Sequence, residues 1–256
     1  MKKHIIGLIC LICFISQTSA QEEGPTAEEL AKANNPLADM IAFNIQYYYR
    51  PALNGVEEGM VNTNWYRFAI PTGPILWRLS APLETRSIST YTRSGLGDVD
   101  LFAAYMAVTK PKLTFGIGPS ASFPTASKDE LGNGKYTLGL AAVVFVVPNP
   151  QLQYGALVIW RTSIAGDENR ADVSFLGIQP FYFWQLGGGT YIRGAPIMVF
   201  DLESGDYHVP LALGIGQVLK VGGTVFNFFI EPQYSVLVEG VGQPNFQIYT
   251  GVNMQF

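Results

Sequence analysis

From residue 41 onward, apolar and polar residues trade places at almost every step. Ile41, Phe43, Ile45, Tyr47 and Tyr49 alternate with Ala42, Asn44, Gln46, Tyr48 and Arg50, until Pro51 ends the run. A period of two puts one set on each face of a β-strand. The rhythm returns in Ile75, Trp77, Leu79, Ala81 and Leu83, and again in Val99, Leu101, Ala103, Tyr105 and Ala107. It is cleanest in Leu113, Phe115, Ile117, Pro119, Ala121 and Phe123, opposed by Thr114, Gly116, Gly118, Ser120 and Ser122. It persists through Phe226, Phe228, Ile230, Pro232 and Tyr234 and closes the sequence in Phe246, Ile248, Val252, Met254 and Phe256, against Gln247, Gly251, Asn253 and Gln255. Residues 136–147 are apolar on both faces, and 60–70 fit either phase. The pattern predicts about twelve strands, roughly 41–50, 60–70, 74–84, 97–108, 113–123, 136–147, 151–164, 172–185, 190–201, 207–219, 224–238 and 246–256.

The links between these strands sort into two kinds. Every second one is tight: Pro71-Thr72-Gly73, Thr109-Lys110-Pro111-Lys112, Pro148-Asn149-Pro150, Leu186-Gly187-Gly188-Gly189 and Lys220-Val221-Gly222-Gly223. The intervening links, such as residues 85–96, 124–135 and 165–171, are longer and more polar. Short turns on one side, long loops on the other and an even strand number describe an up-and-down antiparallel barrel that crosses a membrane. A water-soluble sandwich has no reason to sort its loops this way.

Upstream the pattern is helical. Thr26-Ala27-Glu28-Glu29 reads as a capping box, and a short helix runs to about Asn34, where Asn35-Pro36 stops it. It is too short and polar to span a bilayer. Two placements suit it, a handle outside the barrel on the periplasmic side or a segment tucked into the barrel mouth, and the handle is the expectation.

Composition narrows the class. Charged residues make up 14% of the chain and aromatics 13%, with 27 glycines. Spread over a water-facing surface, such a composition would leave too much of it apolar. No apolar run after the first twenty residues approaches the ~20 that a membrane-spanning helix needs. The first twenty read as an export signal: Lys2 and Lys3, an apolar stretch from Ile5 to Ile15, then small residues before a cut after Ala20. Cys10 and Cys13 would leave with it, so disulfides are not expected in the exported chain. Without Lys2 and Lys3, 14 of the 16 basic residues remain against 20 acidic ones, which argues against a nucleic-acid partner. The expected organisation is therefore a signal at 1–20, a short periplasmic segment at 21–39 and a barrel at 40–256.

Two resemblances sharpen this. An alternating strand closed by Phe256 resembles the assembly signal of bacterial outer-membrane barrels. Gly95-Leu96-Gly97-Asp98, Gly116-Ile117-Gly118-Pro119 leading to Phe123-Pro124-Thr125-Ala126, Leu131-Gly132-Asn133-Gly134-Lys135, Arg170-Ala171-Asp172-Val173 and Val209-Pro210-Leu211 are similar to the outer-membrane family of meta-pathway phenol-degradation proteins. The leader Glu29-Leu30-Ala31-Lys32, continuing to Asn35-Pro36, fits it too. The resemblance covers nearly the whole exported chain in order. It implies a transporter barrel in the bacterial outer membrane, with outer-membrane lipid, lipopolysaccharide and the barrel assembly machinery as partners. It implies no established solute and no catalytic residue.

Reactive chemistry is sparse. His208 is the one histidine left after the signal, which excludes a histidine metal cluster, and its neighbours carry no nucleophile signature. Gly214-Ile215-Gly216 fails the dinucleotide pattern at Leu219 and is better read as small residues facing a crowded lumen. Lys128-Asp129-Glu130 and Gly166-Asp167-Glu168-Asn169 lack calcium-loop spacing and read as solvated loops. No metal and no cofactor is expected.

What remains is the inward face. If Trp77 and Leu79 face lipid, alternation sends Arg78 and Glu84, Asp98 and Asp100, Arg161, Arg193, Asp201 and Glu231 to the lumen. A cation on the lipid face at mid-depth costs ~2–4 kcal/mol, so the interior is where these groups belong. They either pair with one another to fill a narrow barrel or line a constriction. The expected function is passive or gated passage of small molecules, hydrophobic and aromatic ones included. The alternative is a structural or surface-interaction barrel with a plugged lumen.

Overall fold

The computed structural model describes residues 26–256, and the expected signal at 1–20, with Cys10 and Cys13, lies outside the described residues. A helix α1 (Ala27–Asn34) precedes β1 (Ala42–Leu53), β2 (Gly59–Thr72), β3 (Ile75–Ile88), β4 (Tyr91–Leu96), β5 (Val99–Lys110), β6 (Leu113–Phe123), β7 (Lys135–Asn149), β8 (Leu152–Gly166), β9 (Ser174–Gly187), β10 (Thr190–Gly194), β11 (Met198–Asp201), β12 (Tyr207–Ala212), β13 (Gly214–Val221), β14 (Thr224–Glu239) and β15 (Pro244–Gln255). Three pairs of segments act as single broken strands. β4 and β5 both pair with β3, β10 and β11 with β9, and β12 and β13 with β14.

That leaves twelve antiparallel strands, each beside its neighbour in sequence. β15 lies between β14 and β1, paired with β1 from Ala42 opposite Gln255 to Leu53 opposite Pro244 with an irregularity after Tyr49, and so closes the sheet. Closure is what a sheet in lipid requires, because an open edge would leave backbone amides without partners. The barrel is of the kind found in the bacterial outer membrane. Among the described residues no helix is long and apolar enough to cross a membrane.

All five tight links are two-residue turns, at 73–74, 111–112, 150–151, 188–189 and 222–223. Gly73 and Gly222 sit at φ near +58, a conformation that side chains disfavour and that hairpin turns demand. On the other side the links are longer, with one correction. Residues 85–96, expected as a loop, extend the hairpin of β3 and β4 beyond the barrel, and Thr85 bonds Ser94 and Ser87 bonds Thr92 at 2.9 Å. Both faces there are polar, so the pairing leaves no period-two trace.

Outside, Trp77, Leu79, Tyr105, Leu140, Trp160, Ile215 and Ile230 are exposed, forming the apolar belt that lipid covers. Inside, the ambiguous phase of 60–70 resolves with Val61, Thr63 and Ala69 buried and Tyr66 and Phe68 exposed. Gly216 faces the lumen, where a Cβ would meet the Tyr191 ring at 2.2 Å. The absent side chain makes room for the aromatic.

Candidate functional site: the plugged lumen

α1 is not an external handle. Its capping box forms, with Glu29 N donating to Thr26 Oγ1 at 3.2 Å and Thr26 N to Glu29 Oε2 at 2.9 Å. The helix then lies inside the barrel, where Leu30, Ala33 and Leu37 join one apolar cluster with Leu76, Phe102, Ala104, Phe145, Phe181 and Tyr191. Polar bonds fix it to strands far away in sequence. Asn34 Nδ2 donates to Gln153 Oε1 at 3.2 Å, and Asn227 Nδ2 donates to Asn34 Oδ1 at 2.9 Å and Ala33 O at 3.1 Å. Gln255 Nε2 donates to Lys32 O at 3.1 Å. Lys220, beside the 222–223 turn, holds Glu29 in an ion pair, so the helix occupies the short-turn mouth, the periplasmic end of such a barrel. That ammonium, then the bond from the Thr26 amide, brings the Glu29 carboxyl down to about 2.

Deeper in, charged side chains form an ordered band. Glu231 is wholly buried and accepts from Arg193 Nε at 2.6 Å, Gln233 Nε2 at 2.6 Å and the Ala195 amide at 3.0 Å. Gln247 Nε2 donates to Gln233 Oε1 at 2.6 Å, and Arg50 Nε to Gln247 Oε1 at 3.0 Å. Arg50 Nη1 continues to Thr63 Oγ1 at 2.9 Å, Thr63 donates to Glu84 at 3.2 Å, and Arg86 pairs with Glu84 at 3.0 Å. One polar chain thus crosses β10, β14, β15, β1, β2 and β3. Aromatic faces back it: the Arg193 guanidinium sits 3.7 Å from the Phe229 ring centre, and Tyr48 stacks on Tyr249 at 4.3 Å.

The eight residues expected on the lumen wall separate into four groups. Arg193 with Glu231 and Arg161 with Asp100 are ion pairs inside the barrel. Glu84 joins the chain through Arg86, not through Arg78. Arg78 has no ion pair and no hydrogen bond among the described residues; its guanidinium lies 5.2 Å from the Phe102 ring centre. Asp98 and Asp201 correct the expectation. Asp98 accepts from the Asn133 amide at 2.8 Å and the Ala126 amide at 3.2 Å, bracing the 124–134 loop. Asp201 accepts from Glu203 N at 2.8 Å and Ser204 N at 3.0 Å, capping a tight turn. Short carboxylates at strand ends bond nearby backbone amides before they reach across a lumen.

Sequence reasoning missed Arg50, Arg67, Tyr48 and Tyr249 as lumen residues. Arg50 and Tyr48 were legible on the face opposite Ile45 and Tyr47, while the uncertain phase of 60–70 hid Arg67. The Arg67 guanidinium donates through Nη1 to Gln46 Oε1, and its Nε has no partner. Between α1 and Arg67, Arg78 and Arg193 lies a cavity of about 150 Å³. His208 bonds Gln243 through Nδ1 at 3.0 Å, and no serine or carboxylate bonds it among the described residues. Among the same residues no three His, Cys, Asp or Glu side chains converge on a metal position.

No family model matches the chain, and no curated protein matches its sequence, so the likeness to the meta-pathway family rests on the motifs quoted above. Solved structures do match. An outer membrane channel from Pseudomonas putida F1 superposes with a TM-score of 0.64 at 13% identity, over 94% of this chain and 100% of that one. The NanC porin superposes with a TM-score of 0.53 at 11% identity, over 84% of this chain and 98% of that one. At such identities the likeness establishes the fold, a closed outer-membrane barrel.

Proposed function

We propose that the protein passes small molecules across the outer membrane and that α1 gates the passage. It performs no covalent chemistry. The observation that carries this reading is how the lumen is filled. A barrel built only as a scaffold would close its interior with packed side chains. Here a separate segment occupies one mouth through a small apolar patch and a few polar bonds, and behind it lies a chamber lined by charged groups. A cation without an ion pair is costly in a dry interior, so Arg67 and Arg78 fit a wetted path better than a dry one. The resemblance to a transporter family and the likeness to a channel and a porin support the same reading.

A second reading has its own observation. The polar chain from Arg193 to Arg86 spans half the wall and would serve equally to stiffen a permanently closed barrel. Single-channel conductance separates the two. The refolded chain should show small, intermittent currents, and a variant lacking residues 26–38 should show a larger and steadier conductance. A folded deletion variant that conducts nothing would remove the passage reading and leave the scaffold.

A further inference from the structure

The lumen carries more arginines than carboxylates, and the imbalance is sharpest at one place. Asp100 answers Arg161, Glu231 answers Arg193 and Glu84 answers Arg86. Neither Arg67 nor Arg78 has a carboxylate within ion-pair distance among the described residues; Asp100, already bonded to Arg161, acts on Arg78 only from farther away, and the Nε of each arginine is buried without a hydrogen-bond partner. They are neighbours. In the β2–β3 ladder Arg67 lies opposite Ser80 and Arg78 opposite Ala69, so the two are diagonal on the inner face. Diagonal positions stand ~7–8 Å apart, within reach of long side chains. Two like charges placed side by side in a confined space repel unless an anion lies between them.

Both guanidiniums line the cavity of about 150 Å³ behind α1, and the rest of its wall is mixed. Leu76, Phe181 and Phe183 supply apolar surface, and Leu76 and the two phenylalanines are buried members of the lumen cluster. An apolar cavity of about 150 Å³ is large enough to hold a benzene ring. A guanidinium presents a planar fork that matches a carboxylate through two parallel bonds.

We propose that this chamber binds a small monocarboxylate of benzoate size, with its carboxylate between Arg67 and Arg78 and its hydrocarbon body against Leu76, Phe181 and Phe183. This rests on the reading of the lumen as a solute path and names the class of solute the path would hold. Inorganic anions would satisfy the charge but leave the apolar wall in contact with water. Neutral hydrocarbons would cover the wall and leave both cations unanswered.

The test is calorimetric titration of benzoate into the refolded full chain in a non-ionic detergent, with toluene and chloride titrated in parallel. Three variants accompany it: R67Q, R78Q and A69L, the last filling the chamber from a lining position while keeping both arginines. Heat-modifiable migration confirms that each is folded, and R78K stands in should R78Q fail to fold. Benzoate should bind more tightly than either control, and R67Q and R78Q should each weaken it about ten- to a hundredfold, the scale of a charge-assisted hydrogen-bond pair. A69L should abolish binding. Equal binding of benzoate and toluene, benzoate binding untouched by both arginine changes, or no benzoate binding at all would each overturn the proposal. Conductance measured on the same samples keeps the two readings apart. A conducting wild type that does not bind benzoate sinks the carboxylate site alone, whereas a barrel that binds benzoate but stays closed without residues 26–38 sinks the passage reading alone.

Discussion

Replacing Glu231 by glutamine perturbs the most enclosed polar group of the lumen. The carboxylate is 0% exposed and receives three donors, from Arg193, Gln233 and the Ala195 amide. Glutamine keeps the volume but offers one acceptor oxygen, and its amide nitrogen would face a donor. Arg193 would then hold a buried positive charge without a carboxylate, backed by the aromatic faces of Phe229 at 3.7 Å, Tyr249 at 5.4 Å and Phe183 at 5.6 Å. Removing one partner of a buried pair costs ~3–5 kcal/mol, far above the ~0.5–2 kcal/mol that a cation over a ring supplies. For a domain of this size that corresponds to a fall in melting temperature on the order of 10 °C. The assay is the heating series in which folded barrel migrates apart from unfolded chain, run on refolded wild type, E231Q, R193M and the double variant R193M/E231Q. Each single change should lower the midpoint, and the double variant should recover most of the loss, since neither partner is left charged and alone. A double variant destabilised by the sum of the two single effects would show that the pair does not act as a unit and refute the reasoning.

Three further outcomes are expected. The Glu29–Lys220 latch should respond to pH in one direction: with the folded carboxyl held at about 2 against an ordinary 4.5, its contribution is full above 4.5 and lost as pH falls toward 2. Open probability should therefore rise only in that acid window, and K220M should remove the pH step; a latch that loosens between pH 6 and 8 would contradict this. Gly216→Ala should cost ~1–3 kcal/mol, because the new methyl group meets the Tyr191 ring and breaks its bond to Asn227, and an unchanged urea midpoint would remove that contact from the account. Deleting Phe256 takes away its amide bond to Ile41 O at 3.0 Å and an aromatic ring 57% exposed on the lipid face, so the folded yield in membranes should fall; an equal yield would show that the residue is dispensable.

Much of the architecture is set locally and was legible in the sequence. Period-two alternation, tight glycine-bearing turns and sorted loops each depend on residues within a few positions of one another, and together they define twelve strands and, outside 60–70 and 136–147, their phase and the lipid face. The capping box at Thr26 and Glu29 is local too. The placement of α1 is not, because its partners Gln153, Asn227 and Gln255 lie 119 to 223 residues away and only barrel closure brings them to one mouth. The charge pairs divide the same way. Alternation tells which face an arginine occupies, but its depth depends on the stagger between strands, which accumulates around the barrel. Arg161 therefore finds Asp100 across β6 and β7, Arg193 finds Glu231 across β13, and Arg78 is left without an ion pair among the described residues. Asp98 and Asp201 share the parity of lumen residues yet end as loop braces, because they stand where the strands stop and free backbone amides are nearer than any arginine. The sequence by itself determined a barrel and its two faces; closure and stagger decided the plug, the pairing and which arginines stay without an ion pair.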